Sequence, residues 1–106
     1  MKFMISYAYR RDGLTFEENV TNSQALMKAF AKWTPADEGF KLLAFVARVS
    51  GDGGFILVET DDLKAIYAFI AKYVSWNACQ VDPVLDVAES VAIGQASLAW
   101  AASAAG

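Results

Sequence analysis

From Lys2 to Tyr9, apolar and small or polar residues alternate along the chain. Phe3, Ile5, Tyr7 and Tyr9 fall on one side, and Met4, Ser6 and Ala8 on the other. A period of two predicts a strand, which Asp12-Gly13 ends as a turn. The period then lengthens. Leu26, Phe30 and Trp33, at i, i+4 and i+7, predict a helix. Its start is open: Thr15 and Glu18 have the spacing of a capping box, whereas Asn22 or Ser23 would cap a later start beyond the helix-poor stretch Val20 to Ser23. Pro35 and Gly39 close it. Residues 40–49 predict a second strand, Ser50 to Gly54 a hairpin turn, and Phe55 to Thr60 a third strand. Asp61 or Asp62 caps a second helix with a stripe of Leu63, Ile66, Tyr67, Ile70 and Val74. Trp76 to Val81 is the fourth strand, which Pro83 is expected to stop.

The order β-α-β-β-α-β is the split βαβ arrangement of ferredoxin-like α+β folds, a four-stranded antiparallel sheet with two helices on one face. A sheet with one wet face alternates apolar and polar residues. Here Leu42 to Ala47 and Phe55 to Val58 contain no polar residue, so both faces read as covered, the second by another subunit. After Pro83 a further helix is expected from about Val84 to Trp100. Val84, Val87, Val91 and Leu98 lie on one stripe, and Ile93 and Trp100 nearly opposite. Such a helix is expected to sit between two bodies, although Gly94 weakens it. The chain therefore divides into a ferredoxin-like α/β-barrel domain, 1–83, and a C-terminal helical extension, 84–106.

Composition sharpens this picture. Of the 106 residues, 56% are hydrophobic and 13% aromatic, against a usual apolar share of about 45–50%. A chain this short buries only about 60–70% of its unfolded surface, so the surplus points to an interface, and a homodimer is expected. A net charge of −3 disfavours nucleic acid and anionic membranes as partners. The one basic cluster, Arg10-Arg11, reads as two solvated charges at a strand end. A single cysteine, Cys79, fits a reducing compartment. The segment Phe3 to Ala8 lacks the small-residue cleavage site of a signal peptide, and no apolar run reaches about 18 residues. A cytoplasmic protein is expected.

The opening Met-Lys-Phe-Met-Ile, the Lys-Leu-Leu strand, the segment Gly54 to Asp62 (Gly-Phe-Ile-Leu-Val-Glu-Thr-Asp-Asp) and the Trp76 strand running to Val-Asp-Pro-Val together resemble the domain-of-unknown-function family 3303. The resemblance spans roughly residues 1–90, and Gly54 to Asp62 carries most of it. It implies membership of the dimeric α/β-barrel superfamily, in which two sheets pack face to face with helices outside. It implies no activity. Other branches of that superfamily include cofactor-independent monooxygenases, isomerases and haem enzymes, and a fold of this kind hosts many functions.

The chemical inventory is thin. Histidine is absent, which removes the commonest general base and metal ligand. With one cysteine besides, no metal or other cofactor is expected. Asp61-Asp62 is better explained by helix capping, and Gly51 to Gly54, lying between two strands, by a hairpin rather than a phosphate loop. Cys79 reads as a small hydrophobe. The candidate ligand-binding set is Tyr7, Tyr9, Arg48, Glu59, Trp76 and Asn77, polar or aromatic groups in or beside strands that would line a cavity on the sheet's second face. Glu59, in an apolar strand, would need a cationic partner or a raised pKa, and in the second case would suit a general base. Packing and solvation are the competing readings for all six.

Three functions follow as expectations. One is a small-molecule-binding protein that takes an apolar or aromatic compound into the barrel interior. The second is a non-catalytic oligomerisation or regulatory module. The third is a cofactor-independent enzyme of the monooxygenase or isomerase kind.

Overall fold

The computed structural model describes residues 1–106. Its four strands, β1 (Lys2–Tyr9), β2 (Lys41–Ala47), β3 (Gly53–Glu59) and β4 (Asn77–Val84), form one antiparallel sheet in the order β2-β3-β1-β4. Helices α1 (Phe16–Ala31) and α2 (Leu63–Tyr73) connect β1 to β2 and β3 to β4, the ferredoxin-like topology expected from the element order.

Local chemistry sets the boundaries. Thr15 caps α1: its hydroxyl accepts from the Glu18 amide at 3.1 Å, and the Glu18 carboxylate accepts from the Thr15 amide at 3.4 Å. The earlier of the two possible starts is therefore the real one. Asp62 caps α2 through the Lys64 amide at 3.0 Å. Gly51, at φ +79°, turns the β2–β3 hairpin, where the left-handed region favours glycine. Pro83 does not stop β4. The strand runs on to Val84, because β4 is an edge strand and Pro83 stands opposite Phe3, whose amide faces β3. The missing N–H points to solvent, the position a strand proline tolerates.

Register decides which residues meet the helices. Phe3, Ile5 and Tyr7 stand beside Val58, Ile56 and Gly54 on β3 and beside Pro83, Val81 and Cys79 on β4. Phe3, Ile5, Ile56 and Val58 are buried there against Ile66 and Phe69 of α2. The buried stripe of α2 is Ile66, Phe69, Ile70 and Tyr73, which keeps Ile66 and Ile70 of the expected stripe and replaces the rest. Tyr67 is 77% exposed, and Leu63 and Val74 are exposed as well. Both stripes have helical spacing, so periodicity did not choose between them. The aromatic area of Phe69 and Tyr73 did.

Met4, Ser6, Ala44, Val46, Phe55, Leu57 and Gln80 make up the opposite, uncovered face by the same register. The C-terminal helix α3 (Val87–Ala105) starts three residues later than expected and passes through Gly94 unbroken. It has no buried residue, and Trp100 is 73% exposed. It does not pack on its own domain. Lys2 holds its first turn through an ion pair to Asp86 at 2.7 Å, and the molecule is 67 Å long by 30 by 21 Å.

Candidate functional site

Tyr7 faces the helices, and its ring crosses β3 because residue 54 is glycine. A Cβ at Gly54 would collide with the Tyr7 ring and the Val46 carbonyl, and one at Gly53 with the Tyr7 carbonyl. The pair Gly53-Gly54 thus lies at the start of β3 and serves close approach, while the turn itself uses Gly51. The Tyr7 phenol donates to the Val46 carbonyl at 3.4 Å. Its ring meets Tyr9 and Phe45 edge-on, with centroids 6.0 and 5.8 Å apart.

Helix α1 has no buried residue and reaches this aromatic floor through Phe30. A pocket of about 200 Å³, open to solvent, lies between α1, α2 and the sheet. Phe30 comes from α1, Ile70 and Tyr73 from α2, and Tyr7 and Phe45 from the sheet. Phe30 stacks on Trp33 at 5.3 Å and meets Phe45 edge-on at 5.6 Å. Eleven of the twelve lining residues are hydrophobic, and the twelfth is Asn77.

Asn77 faces Tyr9 across the β1–β4 ladder and is only 8% exposed. Its side-chain oxygen Oδ1 has no hydrogen-bond donor. A buried oxygen left unpaired costs about 1–3 kcal/mol, and such groups are rare in folded proteins. This one belongs to a residue that lines the aromatic pocket.

Burial favours the neutral forms of three pocket groups, Cys79, Tyr7 and Tyr73. Burial pushes the Cys79 thiol up, with the Arg10 charge opposing it, so the thiol stays protonated and inert. Burial raises the Tyr7 phenol, helped by Tyr9. It raises that of Tyr73, helped by the Glu38 carboxylate.

A second cleft, of about 290 Å³, adjoins the first and shares Tyr9, Leu26 and Met27 with it. Arg10, Arg11, Ser75 and Trp76 line it. Arg10 Nε donates to the Val74 carbonyl at 2.8 Å. The Arg11 guanidinium lies 5.2 Å from the centre of the Tyr9 ring and donates to Gly51 at 3.3 Å.

The six residues expected from the sequence do not form one cluster. Tyr7, Tyr9 and Asn77 share the aromatic pocket, on the helix side of the sheet and not on its second face, and Trp76 lines the neighbouring cleft. Arg48 is held in the hairpin by Asp52 at 2.9 Å and borders a shallow groove on the uncovered face. Glu59 stands at the far end of the sheet, between Lys2 and Lys41 in register. Phe30, Phe45 and Tyr73 went unmarked as pocket residues, since aromatic residues at helix or strand spacing read equally well as core. No group of three or more metal-ligating side chains lies together.

The sequence matches the model of a domain of unknown function, DUF3303, over residues 1–98. The chain belongs to this family. The match takes in the whole sheet, both packed helices and most of α3, so the DUF3303 domain includes the elements that build the aromatic pocket. No curated protein matches the chain.

Proposed function

We propose that this DUF3303 protein binds a small aromatic or apolar molecule in the pocket between α1, α2 and the sheet, with Asn77 Oδ1 accepting a hydrogen bond from it. The unpaired, buried oxygen of Asn77, the polar residue of an otherwise apolar wall, carries this reading. Binding pockets combine apolar walls with a few placed polar groups. Once the Asn77 amide turns its oxygen into the pocket, a ligand N–H or O–H would supply the donor that the fold does not. Burial holds Tyr7, Tyr73 and Cys79 towards their neutral forms, which favours binding over catalysis.

Indole and indene test it as near-isosteric probes with and without an N–H. Titration calorimetry should show indole binding about tenfold or more tightly, the usual loss when a buried acceptor goes unmet. Asn77→Leu should level the two. Equal binding of both probes by the native protein, or binding of neither, would sink the proposal.

A second reading concerns assembly and is compatible with the first. The uncovered sheet face and the exposed α3 support a homodimer built on that face, with the ligand pocket on the outside of the resulting barrel.

A further inference from the structure

Arg10 and Arg11 are adjacent in a protein with a net charge of −3, yet neither is paired with a carboxylate. The four ion pairs of the molecule join Met1 to Asp61, Lys2 to Asp86, Arg48 to Asp52 and Lys72 to Glu38. Each guanidinium has five N–H donors, and each of these two spends one, on the carbonyls of Val74 and Gly51. Those bonds hold the head groups in place and leave the other donors free. Both arginines line the cleft that shares Tyr9, Leu26 and Met27 with the aromatic pocket. Arg10 directly follows Tyr9, the residue facing Asn77 across the ladder, and its charge is felt by the Cys79 thiol on the wall of the aromatic pocket. An apolar chamber thus adjoins a cationic cleft across the shared wall of Tyr9, Leu26 and Met27.

We infer that the ligand is an aromatic acid: a planar apolar body in the Phe30–Phe45–Tyr73 chamber, its N–H or O–H on Asn77, and an anionic group on Arg10 and Arg11. Carboxylates suit such forks because two parallel N–H donors can meet two oxygens. The Tyr9 ring, with Arg11 over it, forms the wall between the two compartments. This inference rests on the pocket reading above and adds the charge of the ligand to it.

Indole and its 3-carboxylate, 3-acetate and 3-propionate serve as probes, the series covering the span between the two compartments. At low salt, calorimetry should show at least one acid binding about tenfold or more tightly than indole, as charge-assisted hydrogen bonds are the stronger kind. The gain should shrink at 0.5 M salt, where the screening length falls below about 10 Å, and vanish in the double variant Arg10→Gln, Arg11→Gln. Should loss of the Arg10 bond to Val74 unsettle the fold, Arg11→Gln alone and the salt series on the native protein give the same reading. If every acid binds no better than indole, or the gain survives the double substitution, the inference is wrong and the pocket reading stands. Binding of neither indole nor the acids would overturn both.

Discussion

At the scale of single residues, the pocket depends on two departures from good packing. Gly54 leaves a gap in β3 that the Tyr7 ring fills, and Asn77 keeps an oxygen unpaired inside the protein. The first has a structural return in the aromatic floor. The second has none in the free protein, and residues kept at the expense of stability mark sites of function. Asn77→Leu removes the unpaired oxygen while keeping the volume similar. The variant should therefore be more stable than the native protein in urea, by about 1–3 kcal/mol, while losing its preference for indole. A destabilised Asn77→Leu variant would show that the amide is structural. The Cys79 thiol, raised by burial, belongs to the same wall and acts there as a small apolar group.

At the scale of elements, α1 is the pocket wall with no fully buried residue. What fixes its end is a chain of three side chains. Trp33 Nε1 donates to the Glu38 carboxylate at 2.9 Å, and Lys72 of α2 donates to the same oxygen at 2.7 Å. The Glu38 side chain is 4% exposed. Glu38→Ala strands the indole N–H and should cost about 1–3 kcal/mol, measured by urea unfolding at pH 7. The Glu38 hydrogen bond raises the Lys72 pKa above its ordinary 10.5. The stabilisation is then complete below pH 10.5 and lost as pH rises through the folded value. The gap between native and Glu38→Ala stabilities should accordingly narrow above pH 10.5 and stay constant from pH 7 to 9. A gap that widened at high pH would exclude the Lys72 pairing as its source. Element order and the hairpin were legible in the sequence because turn glycines act within a few residues, whereas the caps were narrowed to alternatives that only the structure resolves, to Thr15 and Asp62. The facing of α2 was not legible, since two apolar stripes compete on it. The pocket was legible only in part. Strand alternation put Tyr7 and Tyr9 on one face, but only the ladder register shows that this face meets the helices.

At the scale of the whole molecule, the shape is extended. A radius of gyration of 18.7 Å compares with about 13 Å for a compact domain of 100 residues, and the excess comes from α3 lying away from the sheet. That helix exposes Val87, Val91, Ile93, Leu98 and Trp100, and helical stability comes mostly from packing an apolar face. The uncovered sheet face has the apolar centre Met4, Val46, Phe55 and Leu57. Lys41 and Glu59 are neighbours at its rim, with Asp82 on β4. Carrying both signs, the face allows a copy of itself to set opposite charges against each other across a two-fold axis. The native protein should therefore sediment as a dimer at micromolar concentration. Leu57→Lys, in the middle of the face, should convert it to a monomer with unchanged helical circular dichroism. Deleting residues 87–106 should weaken the dimer if α3 reaches across to the partner, and leave it intact if the sheet face alone suffices. A monomeric native protein would refute the face-to-face assembly. Because the aromatic pocket opens on the helix side, Leu57→Lys should still distinguish indole from indene. Loss of binding together with the dimer would mean that the partner subunit helps to build the pocket.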